Sequence, residues 1–216
     1  ITKEYFDLTY SGDCNYTIIS PPTNYSLIII RDCHFIDVYH SNSNYFILVE
    51  NNYVTIYITS CVFNRFQTKH SIVSLHTNAA KFTHICFSDV SRIYLSGKIS
   101  LLIFDYINGQ TFAEFLYSSI SEITEYVDND EHSLFNFDHA NSYKSALRFQ
   151  CNNISNSCVK KVLIESGGRC ITMKMNTMNS LTSTSLLQIN ADSVFCGISN
   201  FFNNNCTTHV QFIVNN

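Results

Sequence analysis

The stretch Val54-Thr55-Ile56-Tyr57-Ile58-Thr59-Ser60-Cys61-Val62-Phe63-Asn64-Arg65-Phe66 decides the fold. Val54, Ile56 and Ile58 alternate with Thr55, Tyr57 and Thr59, the period-two pattern of a half-buried strand. After Thr59-Ser60 the parity switches, and Cys61 and Phe63 become the inward set with no loop between. A sharp bend between two sheets produces such a switch.

The same spacing returns on both sides. Upstream it reads Ile28-Ile30-Cys33-Phe35-Val38, and downstream Ala80-Phe82-Ile85-Phe87-Val90. Further copies read Ala113-Phe115-Ser118-Ile120-Ile123, Leu147-Phe149-Asn152-Ile154-Ser157, Ile171-Met173-Asn176-Met178-Leu181 and Ala191-Ser193-Cys196-Ile198-Phe201. The anchors at 35, 63, 87, 120, 154, 178 and 198 are 20 to 34 residues apart, an interval typical of stacked repeats. A short apolar strand precedes each copy, for example 46–49, 71–75, 101–104 and 133–137, and polar turns such as Glu50-Asn51-Asn52 and His76-Thr77-Asn78 are expected after it.

Three short strands per repeat describe an all-β, right-handed parallel β-helix, a solenoid of about seven coils. A coil cannot bury its own apolar side chains, so neighbours stack at about 4.8 Å and equivalent residues form ladders, Phe35 over Phe63 over Phe87. Unequal intervals place longer outer excursions near 91–111 and 124–144. Asn152 and Ser157 stand in slots that are elsewhere apolar or Cys, and a bulge is expected there. The whole of 1–216 reads as one β-helix segment of a longer chain, with any membrane attachment made through flanking segments.

Composition narrows the function. Charged residues are only 14% and the net charge is −4, so no basic stripe exists to neutralise phosphates and no nucleic-acid partner is expected. A surface built largely from Ser, Thr, Asn and Tyr suits the cell surface or a secreted protein. Sequons for N-glycosylation occur at Asn15, Asn24, Asn153 and Asn205, about as many as 24 Asn produce by chance. The nine cysteines include no Cys-x-x-Cys, and His is scattered, so no metal site is expected. Cys33, Cys61 and Cys196 read as one inward slot, either small buried hydrophobes or disulfide partners between coils, and Cys151 and Cys158 as a pair able to bridge one bend.

The Asp32-Cys33-His34-Phe35, Ser60-to-Phe66 and His84-to-Val90 segments, with Ser166-Gly167-Gly168-Arg169-Cys170-Ile171 and Phe201-Phe202-Asn203-Asn204-Asn205-Cys206, resemble the β-helix repeat surface proteins of trichomonad protists. These are large Cys- and Asn-rich families similar in style to chlamydial polymorphic membrane proteins and adhesins. The Gly-Gly-Ala-Ile motif of the latter appears only as Gly167-Gly168-Arg169-Cys170-Ile171. The resemblance implies a surface or secreted role in structure or adhesion, with a glycan or a host or self surface protein as partner. It carries over no catalytic residue.

Stacking brings one column of polar residues together. The strand before each bend motif ends at Glu50, His76, Asp105, Asp138, Glu165 and Asn190. Asp105 and Asp138, on adjacent coils beside Tyr106 and His139, are the candidate catalytic pair. Of two stacked carboxylates, one raises its pKa, giving an acid and a base for glycoside cleavage, or a cation settles between them, as in a lyase-type Ca²⁺ site, or both turn to solvent. Tyr106, His139, Glu50 and His76 are candidate binding residues. The nearest cationic bases, Lys98 and Lys144, fall in loops, and Asp128-Asn129-Asp130-Glu131 lacks the Gly and distant Glu of a Ca²⁺ loop. Tyr39, Tyr45, Tyr53 and Tyr57 are candidates for an aromatic platform. The expectation is a non-enzymatic adhesion or display module without a cofactor; the alternative is a polysaccharide-active enzyme on Asp105 and Asp138, using Ca²⁺ or not.

Overall fold

The computed structural model describes residues 1–22, 24–41, 45–92, 102–105, 112–125, 133–138, 146–158, 162–197 and 199–214. Every named element is a strand, and every pairing between strands is parallel. The chain is a parallel β-solenoid, and the expected seven coils come close to the observed stack. One sheet of eight strands forms a single face, and a sheet of eleven strands wraps the other two.

Two corners are built the same way in most coils. At the first, one residue per coil takes a left-handed backbone: Asp7, Asp32, Ser60, His84, Tyr117, Cys151 and Met175, with φ between 52° and 57°. At the second, Asp37, Arg65, Asp89, Glu122, Asn156, Ser180 and Asn203 do the same, with φ between 48° and 57°. A single left-handed residue turns the strand and flips its inward parity, which is the switch read at Ser60. None of these residues is Gly, so each carries a conformational cost of about 1 kcal/mol or more. Backbone bonds between coils offset it: the Ser60 N–H donates to the Thr83 carbonyl at 3.0 Å, and the Asp32 N–H to that of Thr59 at 3.1 Å.

In four coils the third corner has no turn. Strands Ile47–Thr59 and Val73–Thr83 run continuously through it, so the turns expected at 50–52 and 76–78 are bends inside long strands. The longer strand absorbs its extra residues in a register shift between Asn51 and Thr55.

Inside, the ladders stand as expected. Phe35 and Phe63 have ring centroids 5.0 Å apart, and Phe63 and Phe87 stack at 4.7 Å. A second ladder runs Phe82, Phe115, Phe149, the last two stacked at 5.3 Å and 10°. All six rings are buried, each contributing about 1.5–3 kcal/mol over exposure.

Three expectations need correction. The last copy is displaced by three residues: Val194 pairs with Ile171, Cys196 with Met173 and Phe201 with Met178, so the copy reads Val194-Cys196-Ser199-Phe201-Asn204. Cys196 therefore belongs with Met173, not with Cys33 and Cys61, and it is exposed on the last described coil. An unforeseen copy precedes the first, with Lys3 on Ile28, Tyr5 on Ile30 and Tyr10 on Phe35. Finally, there is no bulge at Asn152 and Ser157. Residues 153–155 pair in unbroken register on both sides, and the two polar side chains face inward, hydrogen-bonded and buried.

Candidate functional site

The second corner lines a groove. Its left-handed residues Asp37, Arg65 and Asp89 form one wall; Tyr39, Gln67 and Ser91, two positions further along each coil, form the other. Buried Val38 lies between them, and the open volume is about 350 Å³. The inward packing of Val38, Phe66 and Val90 fixes this geometry by setting the coil register, which aligns the residues before and after them.

Charge in the wall alternates and then turns acidic. Arg65 grips Asp37 with two bonds, Nε to Oδ1 at 2.5 Å and Nη2 to Oδ2 at 2.8 Å. The guanidinium hydrogen bond holds the Asp37 carboxyl below its ordinary value, and the same bond, with the charges of Asp37 and Asp89, raises Arg65. Glu122 continues the wall as the next left-handed residue, register partner of the Asp89 position. The groove wall thus sets two carboxylates against one guanidinium, and Glu122 adds a third one coil beyond. Together the two walls offer carboxylate acceptors, guanidinium and amide donors, a hydroxyl and one phenol ring, with neither His nor Cys among the lining residues. That set can bind a polyhydroxylated or peptide ligand; it holds no nucleophile–base pair. The groove was not anticipated, although its signal was present: a charged residue two positions after each of Phe35, Phe63, Phe87 and Ile120.

The predicted acidic column is in part brought together. Glu50 pairs with His76, His76 with Asp105 and Asp105 with Asp138, on successive coils. Glu50 is exposed and His76 half-buried. Glu165 does not join them. Ile164 packs over Phe135 and under Leu187, and that register sets Glu165 beside Asn136, two positions short of Asp138. Asn190 pairs with Gly167. Tyr106, His139, Lys98, Lys144 and the 128–131 run lie outside the described residues, as do most of the 91–111 and 124–144 excursions. Among the described residues, no group of three or more His, Cys, Asp and Glu is arranged to hold a metal ion.

The four tyrosines do not form one platform. Tyr53 is 90% exposed at the third corner and Tyr57 is exposed on strand Ile47–Thr59, while Tyr45 packs edge-on against His70 at 4.6 Å. Tyr39 alone of the four lines the groove. All nine cysteines are free thiols. Cys151 sits in the first corner and Cys158 beyond the second, with strand Asn153–Ser155 extended between them, so they do not bridge a bend. The four sequon asparagines are all exposed. Among the described residues, no helix is long and apolar enough to cross a membrane. No protein-family model matches the chain, and neither a curated protein nor a solved structure matches it.

Proposed function

We propose that this solenoid is a non-enzymatic binding module of a cell-surface or secreted protein, which holds a neutral glycan or a surface-protein segment in the second-corner groove. The observation that carries the reading is the groove itself, where hydroxyl-binding carboxylates, an amide, a guanidinium and the Tyr39 ring line up along the solenoid axis. The acid excess of its wall disfavours uronic or sulfated sugars, and the exposed sequon positions are compatible with secretion. The resemblance to protist surface repeats points the same way. A panel of neutral, amino-bearing and acidic oligosaccharides tests it. The chain is expected to bind neutral members, and Tyr39→Ala with Gln67→Ala to weaken that binding about tenfold or more, the worth of one stacking contact and one hydrogen bond. Equal retention by the double variant would remove the groove from the reading.

A second reading, a polysaccharide-active enzyme, is favoured by one observation: the in-register pairing of Asp105 with Asp138. Product release from the same panel, with and without Ca²⁺, separates the two. Cleavage that an Asp105→Asn, Asp138→Asn variant loses would install the second reading.

A further inference from the structure

Cys33 and Cys61 occupy the same slot of adjacent coils. Each follows the left-handed first-corner residue of its own coil, Asp32 and Ser60, and their neighbours His34 and Val62 are register partners. The Val62 N–H donates to the Cys33 carbonyl at 2.9 Å, locking the two corners together. Parallel neighbours in register stand about 4.8 Å apart, inside the Cα window of about 4.4–6.8 Å that a disulfide spans. Both side chains are fully buried. Each thiol also donates to the carbonyl two residues before it, Cys33 Sγ to Arg31 at 3.2 Å and Cys61 Sγ to Thr59 at 3.3 Å.

No other pair of the nine thiols is placed this way. Cys14 pairs with His40, Cys86 with Val62 and Ser119, Cys158 with Thr124 and Thr182, Cys170 with Ala146 and Ser193, Cys196 with Met173 and Cys206 with Ser183. Cys151 stands in the first-corner column between Tyr117 and Met175. We propose that Cys33 and Cys61 form a coil-to-coil disulfide site, closed by exchange with a small-molecule disulfide.

The chemistry balances without a further reactant. The Cys33 thiolate attacks one sulfur of the small disulfide, forming a mixed disulfide and releasing one small thiol. Cys61 then gives up its proton and attacks Cys33 Sγ, displacing the second small thiol. Two protein thiols are oxidised and one disulfide is reduced to two thiols. The order of attack follows from the pair. Interaction with the neighbouring Cys61 thiol lowers Cys33 to about 7, while the same partnership, then burial, pushes Cys61 up. Access comes from the coil above. Strand Thr9–Cys14 of that coil carries an irregularity between Tyr10 and Gly12, and Tyr5, Leu8 and Tyr10 are only partly buried. Fraying of this coil uncovers Cys33 first.

The test is incubation of the reduced full chain with oxidised glutathione, followed by peptide mapping without reductant and thermal melting. The expected product has lost two of nine thiols, contains one Cys33–Cys61 linked peptide and melts about 5–10 °C higher, a gain that dithiothreitol reverses. Cys33→Ser and Cys61→Ser should each abolish both the link and the reductant-sensitive shift. Nine intact thiols, glutathione adducts without a link, or links at other cysteines would each overturn the proposal. Mapping of the unsubstituted chain decides the matter even where a variant fails to fold.

Discussion

The first corner is lined differently in the two halves of the solenoid. Its inward slot reads Leu8, Cys33, Cys61, Ile85 in the first four coils and Ser118, Asn152, Asn176, Ser199 in the rest. The early half fills the corner with apolar atoms and thiols. The later half fills it with hydrogen bonds. Asn152 Oδ1 accepts the Ser118 N–H at 3.0 Å, and its Nδ2 donates to the Phe115 carbonyl at 2.9 Å. One coil on, Asn176 repeats the arrangement, accepting from the Asn152 N–H at 3.1 Å and donating to the Phe149 carbonyl at 2.9 Å. Each amide thus satisfies a donor and an acceptor of the coil before it. The lesson is that the corner backbone can be held by either device, provided that no buried polar group is left unpaired.

The two devices should fail unequally. Asn152→Leu preserves volume but strips the Ser118 N–H and the Phe115 carbonyl of their amide partner, and leaves Asn176 without its neighbour. Unpaired buried groups cost about 1–3 kcal/mol each, so a loss of about 2–4 kcal/mol is expected in urea melts. Cys61→Ala in the same slot removes one sulfur and should cost about 1 kcal/mol. Equal losses at the two positions would break the comparison, because the later half would then be held by packing alone.

A second asymmetry is one of charge. The early half buries a titratable group that the amide corner lacks: His40, fully buried between Cys14 and Thr68 in the ladder, with Phe46 edge-on at 5.6 Å and His70 nearby. Its Nδ1 lies 3.4 Å from Thr68 Oγ1. Burial, then the His70 charge, lowers its pKa below the ordinary value, against a weaker opposing pull of the Tyr16 carbonyl. The folded state therefore takes up a proton less readily than the unfolded one. Stability is full above the unfolded His value of about 6.5 and falls as the pH drops below it, by at most about 1.4 kcal/mol per unit. Acidification from pH 7 to 5 should loosen amide-exchange protection in the first coils before the last, and His40→Gln should flatten that dependence. Uniform loosening along the chain would place the sensitive group elsewhere.

Much of this was legible in the residues, for reasons that differ along the chain. Inward positions at the middle coils announced themselves because burial there is met by Phe and Ile, and the column from Glu50 to Asp138 followed once the coils were counted. The first coil was missed because Lys3 and Tyr5 stand at inward register positions on a half-covered end. The last was misread because Ala191, Ser193 and Ile198 mimic the spacing three residues early, and only pairing with Met173 and Met178 corrects it. The left-handed corners gave little signal, since most use Asp, Ser, Arg, Tyr, Cys or Met and only Asn156 and Asn203 are of the type that marks such a backbone. Without them, the charged groove wall could not be set apart from an ordinary polar face.

The smallest effect expected is also the sharpest test of how the two halves are related. If the amide device depends only on corner geometry, it should transplant into the thiol half. Cys61 already points at the carbonyl that an amide would need: its Sγ lies 3.8 Å from the Ile30 oxygen, the equivalent of Phe115 beneath Asn152. An Asn at 61 would accept the N–H of residue 33 and donate to Ile30. An Asn at 33 would do the same one coil earlier, where Cys33 Sγ lies 3.9 Å from the Tyr5 oxygen. Cys and Asn differ little in volume, so overpacking is slight. The double variant Cys33→Asn, Cys61→Asn should thus stay within about 1 kcal/mol of the parent, whereas an unpaired buried amide would cost two or three times that. A single variant at 61 should fare almost as well, because each amide reaches back to the preceding backbone without needing a stacked partner. A large loss in the double variant would show that the thiol corner is specifically required, by packing or by the chemistry of its two sulfurs.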